Sequence, residues 1–324
     1  MQMQFLDIDP VTQTCDLNSC AAPIPEKGEV LCHVKAFGIN RADLLQKQGK
    51  YPAPAGASQI LGMEVAGVIC DVGEGVDRAL QGKTVCAMVT GGGYAQYVSF
   101  PVEHAIPVYD DMAMSHAAAI PEVFLTAYQA LFTIGQLQPE QKVLIHAGAS
   151  GVGTAAIQLA KQESAQVAVT ASNDVKLQAC ADLGADILIN YRQNNFDEVL
   201  KTQGFNADIV VDVVANDYTG KNLNILAVDG KIIQLAILGG RYVEQLDMAK
   251  MLAKRASLIA STLRNRSDHY KTQLIQHFVQ RYSGALRRGA IRPVVDRVYS
   301  VADINLAHEY MANNNNIGKL VVCW

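Results

Sequence analysis

The sequence has few charged and few aromatic side chains. Charged residues make up 18% and aromatic residues 6% of the 324 positions, with 27 Lys plus Arg against 31 Asp plus Glu. No basic block and no stripe of interleaved basic and aromatic residues occurs, so nucleic-acid binding is not expected. Half of the residues are hydrophobic, which is typical of a globular protein with a large core rather than of a disordered chain.

Targeting and membrane signals are also missing. The segment MQMQFLDIDP lacks a basic stretch followed by an apolar run, so no secretory signal peptide is expected. No apolar run approaches the roughly 18 to 20 residues that cross a bilayer, so no membrane interaction is expected. The seven cysteines are scattered without a C-x-x-C pair, and an odd, unclustered set indicates reduced thiols and a cytoplasmic location.

Short apolar strands alternate with helical segments between Val143 and about Thr262. Near-continuous apolar runs are typical of a parallel sheet that helices cover on both faces. The six predicted strands are VLIHA (143–147), VAVTA (167–171), ILIN (187–190), IVVDVV (209–214), KIIQLAIL (231–238) and SLIAS (257–261). The flanking segments read as short β-strands broken by glycine and proline turns. The sequence therefore predicts an α/β fold: a doubly wound parallel Rossmann sheet (122–263) inserted into a β-rich domain (1–121 and 264–324).

A glycine turn links the first of these strands to a helix in VLIHAGASGVGTAAIQLAK. Gly148, Gly151 and Gly153 allow the backbone to turn tightly and approach a pyrophosphate, and the start of the helix offers free N–H groups. The spacing departs from G-x-G-x-x-G, but its strand-turn-helix context favours a dinucleotide site, which would include Ser150 and Val152. A turn needed only for packing the helix on the sheet is the alternative.

The end of the second strand bears on which dinucleotide binds. An NAD site usually places Asp or Glu there to hold the ribose 2′-hydroxyl. In VAVTASNDVK, Ser172 and Lys176 are placed to hold a 2′-phosphate, together with Tyr191 after the third strand. Asp174 either caps the helix or faces the ribose, and the second case would favour NAD. The pattern as a whole favours NADPH.

Longer stretches resemble a known family. They are NRADLLQKQGKYPAPAGAS (40–58), LGMEVAGV (61–68), AAAIPEVFLTA (117–127), HAGASGVGTAAIQLAK (146–161) and NIGKLVV (316–322). These stretches resemble the zinc-independent quinone oxidoreductases, the zeta-crystallin group of the medium-chain dehydrogenase/reductase superfamily, and are most similar to its stress-inducible members. The resemblance covers essentially the whole chain and implies a GroES-like catalytic domain for the β-rich part.

The resemblance also implies that no metal is bound. Zinc-dependent relatives hold a catalytic metal on Cys, on a His followed by Glu, and on a third Cys or Glu. The corresponding positions of this chain are Asn40, Met63 before Glu64, and Glu122. An amide and a thioether do not replace imidazole and thiolate as zinc ligands. The four closely spaced cysteines of a structural zinc site are missing as well.

The function implied by the resemblance is a metal-free, NADPH-dependent reduction of quinones, including one-electron reduction of ortho-quinones, in a cleft between the domains. A quinone accepts electrons without a Lewis acid, so the protein has mainly to orient the reactants. By resemblance Asn40, Tyr51 and Asp43 border this cleft. Asn40 would donate to a carbonyl oxygen, and Asp43 would organise the loop through Arg41 and backbone N–H groups. Tyr51 would stack on the quinone ring, donate its hydroxyl or contact the nicotinamide ribose. Alternatively, Asn40 and Asp43 only cap the following helix.

Further cofactor contacts follow from the resemblance. They are Thr126, Asn216, Leu238, Arg264, Gly318 and Lys319. For Lys319, a solvated surface position is an equal alternative. The family also implies a homodimer that pairs edge strands of two cofactor domains. Two other functions stay open: NADPH-dependent reduction of activated C=C bonds in enals or enoyl thioesters, and a non-catalytic NADPH-binding protein with a structural or RNA-binding role.

Overall fold

The computed structural model describes residues 1–109 and 112–324, and the chain forms two units. The first unit contains Met1–Leu125 and Leu263–Trp324, and the second contains Thr126–Thr262. The second unit is thus inserted into the first along the chain. The domain limits predicted at 121/122 and 263/264 stay predictions.

The second unit is built on a parallel sheet of six strands. Its strands are β8 (Lys142–Ile145), β9 (Gln166–Ala171), β10 (Ile187–Asn190), β11 (Ala207–Asp212), β12 (Leu226–Gln234) and β13 (Ser257–Ala260). Its helices are α4 (Gly151–Gln162), α5 (Asp174–Asp182), α6 (Phe196–Thr202), α7 (Asp217–Ile225) and α8 (Met248–Lys254). The spatial order β10-β9-β8-β11-β12-β13, with every pairing parallel, is that of a doubly wound dinucleotide-binding sheet. The predicted Rossmann fold is confirmed.

Four of the predicted strands were too long at their C-terminal ends: those predicted to end at residues 147, 214, 238 and 261 end at Ile145, Asp212, Gln234 and Ala260. The strand predicted over 209–214 ends at Asp212, whose Oδ1 accepts the backbone N–H groups of Val214 (2.6 Å) and Ala215 (3.1 Å). The strand predicted over 231–238 ends at Gln234. In the loop that follows it, Leu238 N donates to Val213 O (3.0 Å). Apolar residues in a loop at the sheet edge have the same periodicity as the strand before them, so the pattern could not separate the two.

The first unit is built on a mainly antiparallel sheet. Its strands are β1 (Gln2–Ile8), β2 (Cys15–Ala21), β3 (Glu29–Ile39), β4 (Glu64–Val72), β5 (Thr84–Met88), β6 (Tyr97–Pro101), β7 (Ala105–Pro107), β14 (Val295–Ser300) and β15 (Lys319–Cys323). Its helices include α1 (Arg41–Lys47), α9 (Asp268–Arg287) and α10 (Ile304–Ala312). The seven-stranded sheet runs β14-β15-β3-β4-β5-β7, with β6 also on β3, and β1 pairs with β2. The β-rich, GroES-like domain is therefore confirmed.

The C-terminal end of the central strand β3 lies beside α1. Its burial pattern is nearly continuous, and Phe37 and Ile39 are fully buried in the core of this unit. Asn40 follows the strand and stands at the N-cap of α1 with an extended backbone, so the chain turns from strand to helix at this residue. Residues from β4, β15 and α1 therefore meet around Asn40.

Among residues 1–109 and 112–324, one helical segment, Met114–Ile134, is long and apolar enough to cross a membrane, contrary to the expectation from the sequence. It contains α2 (Met114–Ala117), α3 (Pro121–Tyr128) and a π-helical turn (Gln129–Ile134). Of its most apolar 18-residue window, 72% is buried inside the protein. The segment is thus part of the core, and buried core helices meet the same length and composition criterion.

Candidate active site and cofactor site

Asn40 is held by two charged side chains that come from distant parts of the chain. Its amide Nδ2 donates to Glu64 Oε1 at 2.9 Å, and its Oδ1 accepts from Lys319 Nζ at 2.7 Å. The nearest further acceptor to Nδ2 is Gly38 O at 3.5 Å, which is too long for a good hydrogen bond. One N–H of the Asn40 amide is therefore available to an oxygen of a bound molecule. Asn40 also occupies the N-cap of α1 and forms a capping box there with Asp43, so the capping role considered for these two residues is present as well.

Lys319 is buried, with 3% of its side chain exposed, so the surface alternative for this residue was wrong. Its ammonium contacts Ile39 O (2.6 Å), Asn40 Oδ1 (2.7 Å) and the carboxylate of Glu64 (2.6 Å). An ammonium has three donors, and these three acceptors use all of them. The geometry therefore gives Lys319 a role in holding Asn40, and contacts of Lys319 and Gly318 with a cofactor stay predictions. Gly318 precedes it with a φ of 75°.

Asp43 is a fully buried carboxylate that organises the loop before α1. Its Oδ2 accepts the backbone N–H of Asn40 at 2.7 Å, and its Oδ1 accepts that of Gly62 at 3.3 Å. Arg41 does not contact it, contrary to the expectation, and instead donates to Met311 O at 2.8 Å and to Asn314 Oδ1 at 2.6 Å. Burial raises the pKa of Asp43 to about 6, and the Asn40 N–H is the strongest factor that lowers it.

Tyr51 and Arg264 lie together in the first unit. The guanidinium carbon of Arg264 is 5.7 Å from the centre of the Tyr51 ring, within the range of a cation–π contact. Arg264 Nε donates to Thr90 O at 2.8 Å, and Lys271 Nζ donates to Thr90 Oγ1 at 3.1 Å. Both terminal nitrogens of Arg264 are buried without a hydrogen-bond partner among the described residues. Buried donors normally have acceptors, so this guanidinium is suited to receive oxygens of a bound molecule.

Glu64 and Glu122 were noted in the sequence only as zinc-ligand positions, and both belong to this group of residues. Glu64 Oε2 accepts the backbone N–H of Glu122 at 2.9 Å. Burial, and next the neighbouring Glu64 carboxylate, raises the pKa of Glu122 to about 7. Burial, and next the negative charge of Glu122, also raises the pKa of Tyr51. The raised pKa values favour the protonated form of both groups, so the site contains two groups that could deliver a proton.

The residues at the zinc-ligand positions do not fit zinc. Asn40 and Glu64 are both bound to the Lys319 ammonium, a positive charge that disfavours a second cation. Met63 offers only a thioether, whereas zinc sites use thiolate, imidazole and carboxylate ligands. Across residues 1–109 and 112–324, no group of three or more His, Cys, Asp or Glu side chains is placed to hold a metal ion.

The glycine turn of the second unit lies between β8 and α4 at the carboxyl edge of the sheet. Added Cβ atoms would meet Val169 Cβ at 2.8 Å from Gly148, and the carbonyl oxygens of Ala147 and Gly148 at 2.5 Å from Gly153. Ser150 is the N-cap of α4, and its Oγ accepts the N–H of Gly153 at 3.1 Å. The start of α4, which includes Gly151 and Val152, therefore faces the edge where parallel α/β sheets bind phosphate groups.

A buried network of polar side chains connects β9, the residue after β8, α7 and the end of β11. Thr170 Oγ1 lies 3.0 Å from His146 Nδ1, and His146 Nε2 lies 2.7 Å from Asn222 Oδ1. Asn222 Nδ2 then donates to Asp212 Oδ2 at 2.9 Å. Since Asn222 Oδ1 can only accept, Nε2 of His146 carries the proton and Nδ1 accepts from the Thr170 hydroxyl. His146 is a neutral structural residue, and burial lowers its pKa.

The residues predicted to hold the 2′-phosphate follow β9 and β10. Ser172 and Lys176 are half-buried, and Tyr191 is exposed. The N-cap of α5 is Asn173, whose Oδ1 accepts the N–H of Lys176 at 2.9 Å, so the capping role considered for Asp174 was wrong. Asp174 is exposed in the first turn of α5, where its Oδ1 lies 3.4 Å from Asn190 Nδ2.

The remaining predicted cofactor residues lie at several places in the second unit. Asn216 has a left-handed backbone (φ 52°), as does Ala215 before it (φ 64°), and its Nδ2 donates to Gly239 O at 3.1 Å. Leu238 is exposed in the loop after β12, and Thr126 is half-buried in α3. Two successive non-glycine residues in the left-handed region are costly and tend to mark functional turns. Contacts of these residues with a cofactor stay predictions.

Family models match both parts of the chain. A model described as "Alcohol dehydrogenase GroES-like domain" matches residues 26–110, and one described as "Zinc-binding dehydrogenase" matches residues 151–280. Among curated proteins, the human synaptic vesicle membrane protein VAT-1 homolog is 31% identical over 93% of this chain and 80% of its own length. The zebrafish homolog is 31% identical, and a phenolphthiocerol/phthiocerol polyketide synthase of Mycobacterium tuberculosis is 30% identical. The chain spans only 65% and 14% of their respective lengths and matches them over 93% and 92% of its own.

Solved structures match along almost the whole chain. The CurK enoyl reductase has a TM-score of 0.86 at 27% identity, covering 99% of both chains. A mycobacterial protein solved with NADPH has a TM-score of 0.86 at 25% identity, covering 99% of this chain and 100% of its own. A mycobacterial quinone oxidoreductase has a TM-score of 0.84 at 26% identity over the same shares. With the family models and the two-unit fold, the match to the human protein shows that the chain belongs to the medium-chain dehydrogenase/reductase superfamily.

Proposed function

We propose that this protein is a zinc-independent, NADPH-dependent quinone reductase of the zeta-crystallin group. The observation that carries the proposal is the chemistry around Asn40. This group of residues offers hydrogen-bond donors to oxygen atoms but has a bound ammonium and a thioether at the zinc-ligand positions. Such a site suits an acceptor that is already electrophilic, and a quinone is one. The similarity to a mycobacterial quinone oxidoreductase supports the same acceptor class.

The residues of the first unit would bind and orient the quinone. The free N–H of Asn40 and the two terminal nitrogens of Arg264 are donors for its carbonyl oxygens. Such donors stabilise the negative charge that develops on oxygen during reduction. Tyr51 offers a ring face for stacking and, with Glu122, a proton for the oxygen that becomes a hydroxyl. In this proposal Asp43 fixes the loop that carries Asn40.

NADPH is the proposed cofactor, and it would supply the reducing equivalents when bound. Gly148 and Gly153 leave room that a Cβ would fill, and α4 offers backbone N–H groups to the pyrophosphate. Lys176 supplies a positive charge for the 2′-phosphate beside Ser172, and the exposed Tyr191 is held near the end of β9, since its backbone N–H donates to Ala171 O at 3.2 Å. The similarity to a mycobacterial protein solved with NADPH supports this choice. Asp174, now without a capping role, is the residue that would favour NADH.

The test is oxidation of NADPH, followed at the nicotinamide absorbance, with paired ortho- and para-quinones and one enal. Samples with NADH and samples treated with EDTA run beside it. Turnover with a quinone that survives EDTA and weakens with NADH is the expected result. Asn40→Ala should lower kcat/KM for quinones by about tenfold or more, because one donor to the developing charge is lost. Turnover that disappears with EDTA would contradict the metal-free proposal.

Reduction of activated C=C bonds is the second candidate. It is favoured by the similarity to the CurK enoyl reductase and by the raised pKa values of Glu122 and Tyr51. Hydride addition to such a bond leaves a carbanion that needs a proton at the α-carbon. Turnover of the enal alone, abolished in Tyr51→Phe or Glu122→Gln, would move the assignment to this class. Binding of NADPH without turnover of any acceptor would favour a non-catalytic role.

A homodimer and a cytoplasmic location complete the proposal. β13 is an edge strand of the six-stranded sheet, and its exposed Leu258 fits pairing with the same strand of a second copy. Light scattering after gel filtration should give twice the mass of one chain, and Leu258→Pro should give a monomer. All seven cysteines are free thiols, as is usual in a reducing compartment. Fractionation of cells that express the protein tests the location.

A further inference from the structure

A second buried hydrogen-bond chain leads away from Asp43, and no role has been assigned to its members. Tyr94 Oη lies 3.3 Å from Asp43 Oδ2 and 3.0 Å from His308 Nε2. His308 Nδ1 lies 3.2 Å from Lys47 Nζ. Tyr94 is fully buried, and 3% of His308 is exposed, whereas Lys47 is half-buried. This series of hydrogen bonds thus runs from the half-buried ammonium of Lys47 to the fully buried carboxylate of Asp43.

The Lys47 ammonium at one end of this series fixes which group donates and which accepts in every hydrogen bond. The ammonium of Lys47 can only donate, so His308 Nδ1 accepts and the proton of the neutral ring is on Nε2. His308 Nε2 then donates to Tyr94 Oη, and the Tyr94 hydroxyl is left to donate to Asp43 Oδ2. Burial, and next the charge of Lys47, lowers the pKa of His308 to about 3, which agrees with a neutral ring. The thiol of Cys15 lies 4.0 Å from the same Nδ1.

We propose that Tyr94 and His308 are positioning residues that keep Asp43 ionised and thereby hold the backbone of Asn40 in place for catalysis. The inference rests on the proposed reductase function. An ionised Asp43 can accept the Asn40 N–H, the Gly62 N–H and the Tyr94 hydroxyl together. A protonated Asp43 carries a proton on one oxygen and loses acceptor capacity, so at least one of these bonds weakens.

The charges around Asp43 make its ionisation sensitive to the hydrogen bond from the Tyr94 hydroxyl. Burial, together with the smaller effect of the Glu64 charge, raises the pKa of Asp43 to about 6. Asp43 and Glu122 disfavour each other's ionised form in the same way. Lys319 and Arg264 favour the ionised form of Asp43. A carboxylate balanced so close to neutral pH is sensitive to the loss of one donor.

The first test is hydrogen exchange of the amides that donate to Asp43, measured by mass spectrometry or NMR at neutral pH on the full chain. Tyr94→Phe removes one hydroxyl and keeps the ring, which lies 4.4 Å from the Phe37 ring. We expect exchange at Asn40 and Gly62 to become roughly tenfold faster. Tyr97→Phe is the matched control, because its ring stacks on His33 and its hydroxyl lies outside this chain. Equal exchange in Tyr94→Phe and the wild type would overturn the proposal.

The second test is the pH profile of kcat/KM for a quinone. Tyr94→Phe should move the acid limb upward by about one pH unit, since an ionised carboxylate loses a donor. His308→Gln should stay near the wild type, because a Gln amide can both donate to Tyr94 and accept from Lys47, whereas His308→Leu should behave like Tyr94→Phe. A uniform loss of activity at every pH, with no displaced limb, would indicate a merely structural role and overturn the proposal.

The two tests separate this inference from the proposed function. If no quinone is reduced, the exchange experiment still decides whether Tyr94 acts on Asp43. Faster exchange at Asn40 and Gly62 would then support the inference on Asp43 while the reductase proposal fails. Unchanged exchange in an active enzyme would overturn the inference and leave the reductase proposal standing.

Discussion

Replacing Lys319 by Met should destabilise the first unit severely. The change removes the ammonium and leaves the Glu64 carboxylate, with 0% of its side chain exposed, as an unpaired buried charge. It also leaves Asn40 Oδ1 and Ile39 O without their donor. Breaking a buried ion pair from one side costs about 3 to 5 kcal/mol of unfolding free energy. Lys319→Met should therefore lower the free energy of unfolding by about 3 to 5 kcal/mol.

The second change, Glu64→Gln in the same chain, tests whether the cost comes from the uncompensated charge. The double variant Glu64→Gln/Lys319→Met buries no charge at this place, so it should be more stable than Lys319→Met alone. Lys27→Met is the control, because Lys27 forms a 2.9 Å ion pair with Glu74 in which both side chains are about three-quarters exposed. That variant should change the stability little.

The assay is urea unfolding followed by the fluorescence of the single tryptophan, Trp324. This residue comes directly after β15, and its ring lies 6.4 Å from that of Phe37 in the first unit. Its emission therefore reports the unfolding of the unit that contains Lys319. A loss in Lys319→Met no larger than in Lys27→Met would refute the reasoning. So would a double variant less stable than the single one.

Three further changes test other parts of the molecule. Gly153→Ala should weaken NADPH binding and destabilise the second unit, since its Cβ would lie 2.5 Å from the carbonyl oxygens of Ala147 and Gly148; calorimetric titration and urea unfolding measure both. Lys176→Ala should raise the Kd of NADPH about tenfold and leave that of NADH unchanged, and equal losses would contradict the assignment. His308→Gln should make the stability of the folded protein less sensitive to acid. With a His308 pKa of about 3 against 6.5 when unfolded, the unfolded state binds a proton that the native state excludes, so wild-type stability falls as the pH drops through this window. Unfolding midpoints of both proteins between pH 7 and 4 check this.

The sequence was informative where local pattern determines structure. Alternating strands and helices and the turn from Gly148 to Gly153 predicted the doubly wound sheet, because both signals lie within short stretches of chain. The partners of Asn40 could not be predicted in this way. Glu64 and Lys319 lie 24 and 279 residues away from it, and only the folded sheet brings β4 and β15 beside the end of β3.

The buried network beneath the cofactor edge limits how the cofactor preference can be changed by design. Thr170 is the last residue but one of β9 and lies only two residues before Ser172, but its hydroxyl is bound to His146, and through Asn222 to Asp212. A designer could exchange Ser172 or the exposed residues after it and leave this network intact. A graft that replaces Thr170 would instead remove the hydroxyl that donates to the buried imidazole of His146. Through Asn222 and Asp212 it would also disturb the turn after β11, on the far side of β8.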